Sequence, residues 1–284
     1  MRAVPLQDLP TYSVWPARLL GHVPFAPKHK TREAVYREYD TDKFAKYLAY
    51  FRRHPRTRIE RIKELERGTP LKQTVCLSRA NKLHTCSARE ASRERDRAFL
   101  AALTPLMKHV DTVIELGSGY GYNLALLKKK FPNHTFVGGE FSPRARTLSA
   151  ALGKGKWKTL PFDFYDKNST LFEKVTSSKI LVLTCHSVEM LPDARLFLKQ
   201  LERFKRRIVG VVQLEPVYEL YKSTDLLGLM RKRYIELNGY NKNLLSCLKS
   251  NPAIRLEKTV VDLFGLNPLF PESLLIWKFK NQTR

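Results

Sequence analysis

The sequence lacks several features that mark common classes of protein. Its cysteines are Cys76, Cys86, Cys185 and Cys247. They form no CxxC pair and have no histidine at metal-ligand spacing, so we expect reduced thiols rather than a metal site or a disulfide framework. No stretch approaches the roughly 18 apolar residues of a membrane span, and the N-terminus has no apolar run of secretory length. These absences predict a soluble, cytoplasmic globular protein.

Acidic residues are also scarce. The chain has 27 Asp and Glu against 51 Lys and Arg, a formal net charge of +24. Such an excess favours contact with polyanions, meaning nucleic acid, anionic glycans or a membrane surface. The densest basic segment is Arg52-Arg53-His-Pro-Arg56-Thr-Arg58-Ile-Glu-Arg61. It carries no base-reading motif, so it is either a contact patch for RNA or another polyanion or a solvated helix junction.

The order of apolar segments predicts two regions. Residues 1–99 combine a proline-rich arm with basic, mainly helical segments, and a helix from Ser87 to Leu103 has alternating charges typical of an exposed face. Residues 100–284 alternate strands and helices, which predicts a Rossmann-like, mostly parallel sheet with helices on both faces. The last strand is a candidate antiparallel edge strand. The predicted strands are Thr112–Leu116, Thr135–Gly138, Lys179–Leu183, Ile208–Gln213 and Leu274–Lys280, and the helices Tyr122–Lys130, Pro143–Leu152, Pro192–Phe204 and Leu220–Asn238.

A glycine turn follows the first of these strands. Gly117, Gly119 and Gly121 allow a tight turn and leave no side chains between the backbone and a ligand. Glu115 precedes the turn, and Glu140 ends the next strand about 20 residues beyond the glycines, a spacing that suits an acid accepting hydrogen bonds from ribose. In a doubly wound sheet, ligands bind beyond the carboxyl ends of the strands, so the turn predicts a nucleotide site.

The spacing of the glycines separates two classes of nucleotide. The run is Glu-x-Gly-x-Gly-x-Gly rather than the dinucleotide fingerprint GxGxxG. An acid two positions before the first glycine would repel a pyrophosphate but suits a cosubstrate that bears an amino group. The run resembles the first motif of class I S-adenosylmethionine-dependent methyltransferases, and the resemblance covers roughly residues 105–215.

The resemblance implies S-adenosyl-L-methionine as the cosubstrate. In this family the glycine turn wraps the methionine and the sugar, with the first acid near the amino group and the second on the ribose hydroxyls. An aromatic residue follows the second acid, beside the adenine, and a later acid accepts from the adenine amine, with Asp166 as an alternative here. The implied cosubstrate residues are Glu115, Gly117, Gly119, Gly121, Glu140, Phe141 and Asp163.

Candidate catalytic residues follow the next two strands. His186 and Glu189 come after the strand whose end faces the transferable methyl group in this family, and Glu215 ends the following strand. We expect His186 to remove a proton from the acceptor, or to orient the neighbouring group that does so, and Glu189 and Glu215 to lie on the acceptor side. The alternative is that His186 and Glu189 only cap the strand and the next helix. Two acids and one histidine without ideal spacing do not predict a metal site.

Three short segments bear on the acceptor. The segment after the strand Lys179–Leu183 departs from the Asn/Asp-Pro-Pro-Tyr motif of amino-methylating enzymes, which favours an oxygen acceptor. His186-Ser-x-Glu after that strand, Glu215-Pro-x-Tyr-Glu after the next strand and Tyr240-Asn-x-Asn together look like bacterial proteins described as sugar O-methyltransferases. We therefore expect O-methylation of a sugar, polysaccharide or other small polar acceptor. The alternatives are an RNA methyltransferase and a non-catalytic module that binds S-adenosylmethionine.

Overall fold

The computed structural model describes residues 1–280, so the predicted domain end at residue 284 lies outside the described residues. The strands of the described chain form two sheets. The strands are β1 Arg2–Val4, β2 Thr74–Arg79, β3 Lys82–Ser87, β4 Thr112–Leu116, β5 Thr135–Glu140, β6 Lys158–Pro161, β7 Ile180–Cys185, β8 Ile208–Glu215, β9 Ile254–Phe264 and β10 Glu272–Phe279.

The larger sheet has seven strands in the order β6-β5-β4-β7-β8-β10-β9. Strands β4 to β8 are parallel to one another, and β10 lies antiparallel between β8 and β9. Every residue of β4 is buried, as expected for a central parallel strand covered on both faces. One apolar core lies on each face of the sheet. The predicted fold class, a mostly parallel sheet with helices on both faces, is confirmed.

The helices account for most of the remaining chain. A π-helix spans Arg37–Phe44, between α3 and α4. The α-helices are α1 Leu9–Tyr12, α2 Trp15–Leu19, α3 Arg32–Tyr36, α4 Ala45–Arg53, α5 Ile59–Arg67, α6 Ala88–Met107, α7 Tyr122–Lys130, α8 Pro143–Gly153, α9 Arg195–Glu202, α10 Leu226–Asn238 and α11 Leu244–Ser250. No helix within residues 1–280 is long and apolar enough to cross a membrane.

Several sequence expectations need correction. The closing strand β10 is antiparallel, as expected, but it is internal, because β9 forms the edge of the sheet. The N-terminal region also contains a small antiparallel sheet of β1, β3 and β2. Helix α6 continues through the predicted boundary at residue 99. The alternating charges of this helix predicted an exposed position for Arg95. The Arg95 side chain is instead buried against the large sheet, where it pairs with Glu272 at the start of β10.

The strand order reverses between β4 and β7. After β4, the chain forms β5 and β6 on one side of β4 and then returns to form β7 and β8 on the other side. This reversal opens a crevice at the carboxyl ends of the strands, where doubly wound sheets bind ligands. The predicted glycine turn leaves β4 at this point.

Candidate active site

The glycine turn packs closely against its neighbours. Gly117, Gly119 and Gly121 have φ angles of 77°, 53° and 86°, in the region that favours glycine. A Cβ on Gly117 would lie 2.4 Å from Cβ of Ser187, and one on Gly121 would lie 2.8 Å from Nε1 of Trp157. Glycine is therefore required both for the backbone angles of the turn and for its contact with the end of β7.

A cleft of about 420 Å³ lies over this turn. Its size is within the range of sites for small ligands and cofactors. All the predicted cosubstrate residues line it except Gly121, which supports the turn from behind. His186 and Glu189 also line the cleft. Glu215 does not: it is fully buried behind the turn that carries those two residues.

Glu115 presents an unpaired carboxylate oxygen to the cleft. Its Oε1 accepts a hydrogen bond from Nδ2 of Asn123 at 2.7 Å, whereas its buried Oε2 has no partner within the described chain. Burial raises the pKa of Glu115 to about 8. A buried carboxylate without a partner is costly, and a ligand with a cationic amino group would remove that cost. The residue thus fits its predicted role.

Glu140 holds the glycine turn in place. Its Oε2 accepts from the amide of Gly119 at 2.7 Å, and its Oε1 accepts from the amide of Ser142 at 2.9 Å. Burial raises the pKa of Glu140, although these amides oppose the rise. Each carboxylate oxygen can accept a second hydrogen bond, so the bonds from Gly119 in the turn and from Ser142 before α8 are both compatible with ribose hydroxyls as further donors.

A segment of the N-terminal region covers this part of the cleft. We call residues 32–44, which comprise α3 and the π-helix, the roof segment. Arg32 pairs with Asp163, with Nη2 2.7 Å from Oδ2. The ring of Tyr36 packs edge-on against Phe141, with 5.8 Å between the ring centres. The two residues implied to contact adenine therefore each touch the roof segment.

The roof segment is anchored by a buried aspartate. Oδ1 of Asp40 accepts from Oγ of Ser142 at 2.5 Å and from the amide of Arg144, and its Oδ2 pairs with the Arg144 guanidinium. Phe44 then lies against Gly119, 3.3 Å from where a Cβ would stand. π-helical turns occur often at functional sites, and this one places aromatic side chains over the cleft.

His186 stands where β7 ends. Its backbone has a φ of 51°, an uncommon angle for a residue other than glycine, of the kind that clusters at functional sites. Its Nδ1 lies 3.1 Å from Oε1 of Glu189, and its side chain is 35% exposed. Burial lowers the pKa of His186, while Glu272 and Glu215 oppose this. The ring is therefore held neutral and open to the cleft, as a general base requires.

Glu189 and Glu215 form a buried pair of acids. Glu215 accepts hydrogen bonds from the amides of Ser187, Val188 and Glu189, which fixes the turn. Burial raises the pKa of Glu189 to about 7, and burial with the charge of Glu189 raises that of Glu215 well above its ordinary value. Oε2 of Glu189 is buried and accepts no hydrogen bond from a donor among residues 1–280, but the Glu189 and Glu215 carboxyl groups hydrogen-bond to each other, which requires a proton between them. Glu189 thus lines the cleft beside His186, while Glu215 supports it from behind.

Sequence reasoning missed part of the site. Glu272 and Arg95 line the cleft beside His186, and Tyr39 and Phe270 add aromatic walls next to Tyr240, which the sequence analysis had placed on the acceptor side. A glutamate that begins an otherwise apolar strand was the available signal for Glu272. No local signal marked Arg95, because its neighbours in α6 are charged as well.

Neither the comparison with protein-family models nor that with curated proteins gives a match. Among solved structures, the mitomycin 7-O-methyltransferase MmcR is 16% identical with a TM-score of 0.48, over 68% of this chain and 55% of that one. The chain thus spans little more than half of that protein's length. The plantazolicin methyltransferase BpumL, solved with SAH, is 17% identical with a TM-score of 0.43, over 68% of this chain and 90% of its own.

An O-methyltransferase family protein from Burkholderia thailandensis is 12% identical with a TM-score of 0.49, over 68% of this chain and 59% of that one. All three are named as methyltransferases or as members of an O-methyltransferase family. At these identities and TM-scores the likenesses say nothing of this chain's acceptor.

Proposed function

We propose that this chain is an S-adenosylmethionine-dependent methyltransferase that methylates an oxygen atom of a polar acceptor, with a sugar or polysaccharide hydroxyl preferred. The proposal rests on one observation: a cosubstrate site and a candidate base face each other across one cleft. On one wall, the glycine turn lies beside the unpaired Glu115 Oε2; on the other, His186 faces the same space.

The residues present fit the cosubstrate. Glu115 would neutralise its amino group, Glu140 would accept from its ribose hydroxyls, and Phe141 and Asp163 would lie at its adenine. When bound, S-adenosylmethionine supplies a methyl group on a sulfonium, whose bonding electron pair stays on the sulfur after transfer. The chain has then to orient the acceptor oxygen and take its proton.

His186 would take that proton. With Nδ1–H donated to Glu189, the Nε2 lone pair is directed to the other side of the ring, where Glu272 lies, and would receive the proton of a hydroxyl bound on that side. Glu189 holds the ring tautomer, and its carboxyl group is itself held by a hydrogen bond with Glu215. Glu215 acts through the backbone of the turn, so we assign it a positioning role.

The walls of the cleft suit a sugar. Tyr240 and Phe270 stack with 4.4 Å between ring centres, and Asn267 lies on the same wall. A sugar ring presents apolar C–H faces to aromatic rings and hydroxyls to carboxylates and amides. The carboxyl groups of Glu189 and Glu272 would accept hydrogen bonds from several hydroxyl groups of such a sugar.

The direct test is transfer of a labelled methyl group from S-adenosylmethionine into separate glycan, small-molecule and RNA fractions. Label that enters glycan or hydroxylated small molecules and resists alkali supports O-methylation of a sugar. Label confined to RNA would replace this proposal with the RNA alternative. Cosubstrate binding with no transfer to any fraction would favour a non-catalytic module.

His186→Asn tests the base. Asparagine tolerates positive φ, so it removes the imidazole with little backbone strain. We expect turnover to fall about 10²–10⁴-fold while the cosubstrate dissociation constant stays unchanged. His109→Asn, at an exposed histidine remote from the cleft, is the matched control. Full turnover by His186→Asn rules out His186 as the base.

RNA remains the second candidate acceptor because unpaired cations collect at one end of two helices. Asp40, just before α4, contacts the start of α8, and Phe51 and Leu152 near the helix ends share one apolar cluster. Helices α4 and α8 therefore end on the same side. The cations at this end of the two helices make no ion pair with another described residue, and we call this group the basic corner. It comprises Arg52, Arg53, Arg56, Arg58, Lys154, Lys156 and Lys158.

A further inference from the structure

We propose that Glu272, held by Arg95, stabilises the protonated form of His186 during proton transfer and so is required for His186 to act as a base. The inference rests on the proposed function, in which His186 takes the acceptor proton. It joins three elements that are far apart in the chain: α6, the end of β7 and the start of β10.

The geometry fixes Glu272 beside the ring. Oε1 of Glu272 accepts from Nε and Nη2 of Arg95 at 3.0 and 2.8 Å. The same Oε1 lies 3.6 Å from Nε2 of His186, on the side of the ring opposite Glu189. The Arg95 guanidinium is itself held by Oδ1 of Asn123 at 2.8 Å, so the carboxylate has little freedom to move.

The interaction favours one protonation state of the ring. In the neutral ring, with Nδ1–H donated to Glu189, a lone pair on Nε2 faces a carboxylate oxygen, which is unfavourable. When the O–H bond of the acceptor breaks and an Nε2–H bond forms, the electron pair stays on the acceptor oxygen, and the new imidazolium faces a negative charge. Glu272 thus interacts better with the state formed during reaction than with the resting state.

Arg95 keeps Glu272 ionised. Burial alone would raise the pKa of Glu272, but Arg95 and His186 hold it below its ordinary value. The other charged groups around His186 are Glu189 on its own turn, Glu215 on β8 and Lys63 on α5. Glu189 and Glu215 have raised pKa values, so Glu272 is the neighbouring carboxylate that stays charged near neutrality.

The test is an NMR titration of the histidine rings in the full chain, with the His186 signal assigned by its loss in His186→Asn. In Glu272→Gln we expect the pKa of His186 to fall by about one unit or more, since a negative charge within hydrogen-bonding range of the ring is lost. The acid limb of the rate–pH profile should move the same way, and kcat should fall about 10–100-fold with unchanged cosubstrate affinity. A His186 pKa within 0.3 units (about 0.4 kcal/mol) of wild type overturns the inference.

Two further variants keep the result interpretable. Glu272→Gln leaves Arg95 buried without its anionic partner and can unfold the chain. Glu272→Asp retains the charge, and we expect a His186 pKa close to wild type with partial turnover; a fall equal to that in Glu272→Gln contradicts the charge argument. Glu257→Gln, a surface carboxylate on β9, is the matched control. Failure of His186→Asn to lower turnover would instead refute the proposed base, whatever the titration shows.

Discussion

At the scale of single residues, the site is defined by carboxylates whose partners are incomplete. Glu115 is buried, and its Oε2 has no partner among the described residues. Oε2 of Glu189 accepts from no donor there, and the Glu189 carboxyl group is paired only with the carboxyl group of Glu215. Native proteins satisfy nearly all buried polar atoms, so such exceptions point to groups that are paired only when a ligand is bound. Both oxygens belong to residues that line the same cleft.

Glu115 makes cosubstrate binding depend on protons. Its pKa of about 8 leaves the carboxyl protonated at pH 6.5, where an α-amino group is still cationic. Binding of that cation favours the ionised carboxylate and should release about one proton. Calorimetry of S-adenosylmethionine at pH 6.5 in buffers of different ionisation enthalpy measures this release.

Glu115→Gln removes the charge and preserves the shape. We expect the proton release to disappear and the affinity to fall about 10–100-fold, because a charge-assisted hydrogen bond is replaced by a neutral one. Glu257→Gln should leave both quantities unchanged. Equal proton release by wild type and Glu115→Gln would place the titrating group elsewhere.

At the scale of secondary-structure elements, the roof segment covers a cleft built by the sheet. It carries Tyr39 and Phe44 to the cleft, and it is tied to the sheet region through Asp40 and Arg32. A cosubstrate bound in the cleft would lie against this segment. The contacts of Asp40 therefore bear on how fast the cosubstrate is released.

Asp40→Ala should loosen the roof segment. The change removes the ion pair to the half-exposed Arg144 and a hydrogen bond from the hydroxyl of Ser142, which is fully buried and loses its acceptor. We expect faster hydrogen exchange confined to residues 32–44, and cosubstrate dissociation faster by about tenfold or more, since each 1.4 kcal/mol is worth a factor of ten.

Asp42→Ala is the matched control, because Asp42 is exposed and makes no ion pair with another described residue. Stopped-flow displacement of bound cosubstrate measures the dissociation rate. If Asp40→Ala and Asp42→Ala release the cosubstrate at the same rate, the contacts of Asp40 stabilise the fold but do not control cosubstrate release.

The elements also show which features could be predicted from sequence. Strand β4 and helix α7 were predicted with the bounds observed, because an apolar run, three glycines and a helical stripe are local signals. The roof contacts could not be predicted: Arg32 and Asp163 are 131 residues apart, and Asp40 and Ser142 are 102 apart. Arg95 was misplaced for the same reason, since Glu272 is 177 residues away and helix periodicity alone describes only near neighbours.

At the scale of the whole molecule, seven of the 51 Lys and Arg residues form the basic corner. The basic corner lies at the ends of α4 and α8, whereas the cosubstrate residues lie near the start of α8. A helix of eleven residues is about 16 Å long, so a polymer could contact the corner and still reach the cleft. The corner and the cleft can therefore be tested separately.

The triple variant Arg52→Ala, Arg53→Ala, Arg56→Ala tests the corner with single-stranded RNA as the polyanion. If each arginine contacts one phosphate, the slope of log affinity against log salt should become shallower by about 2, since a single strand contributes about 0.7 per contact. The variant Lys222→Ala, Lys242→Ala, Lys249→Ala removes the same charge from exposed positions elsewhere and should keep the wild-type slope. Equal slopes for the two variants would mean that net charge alone attracts RNA, and no binding by wild type at low salt would remove RNA as a partner. A shallower slope together with methyl transfer confined to glycan would instead make the corner a docking surface separate from the acceptor site.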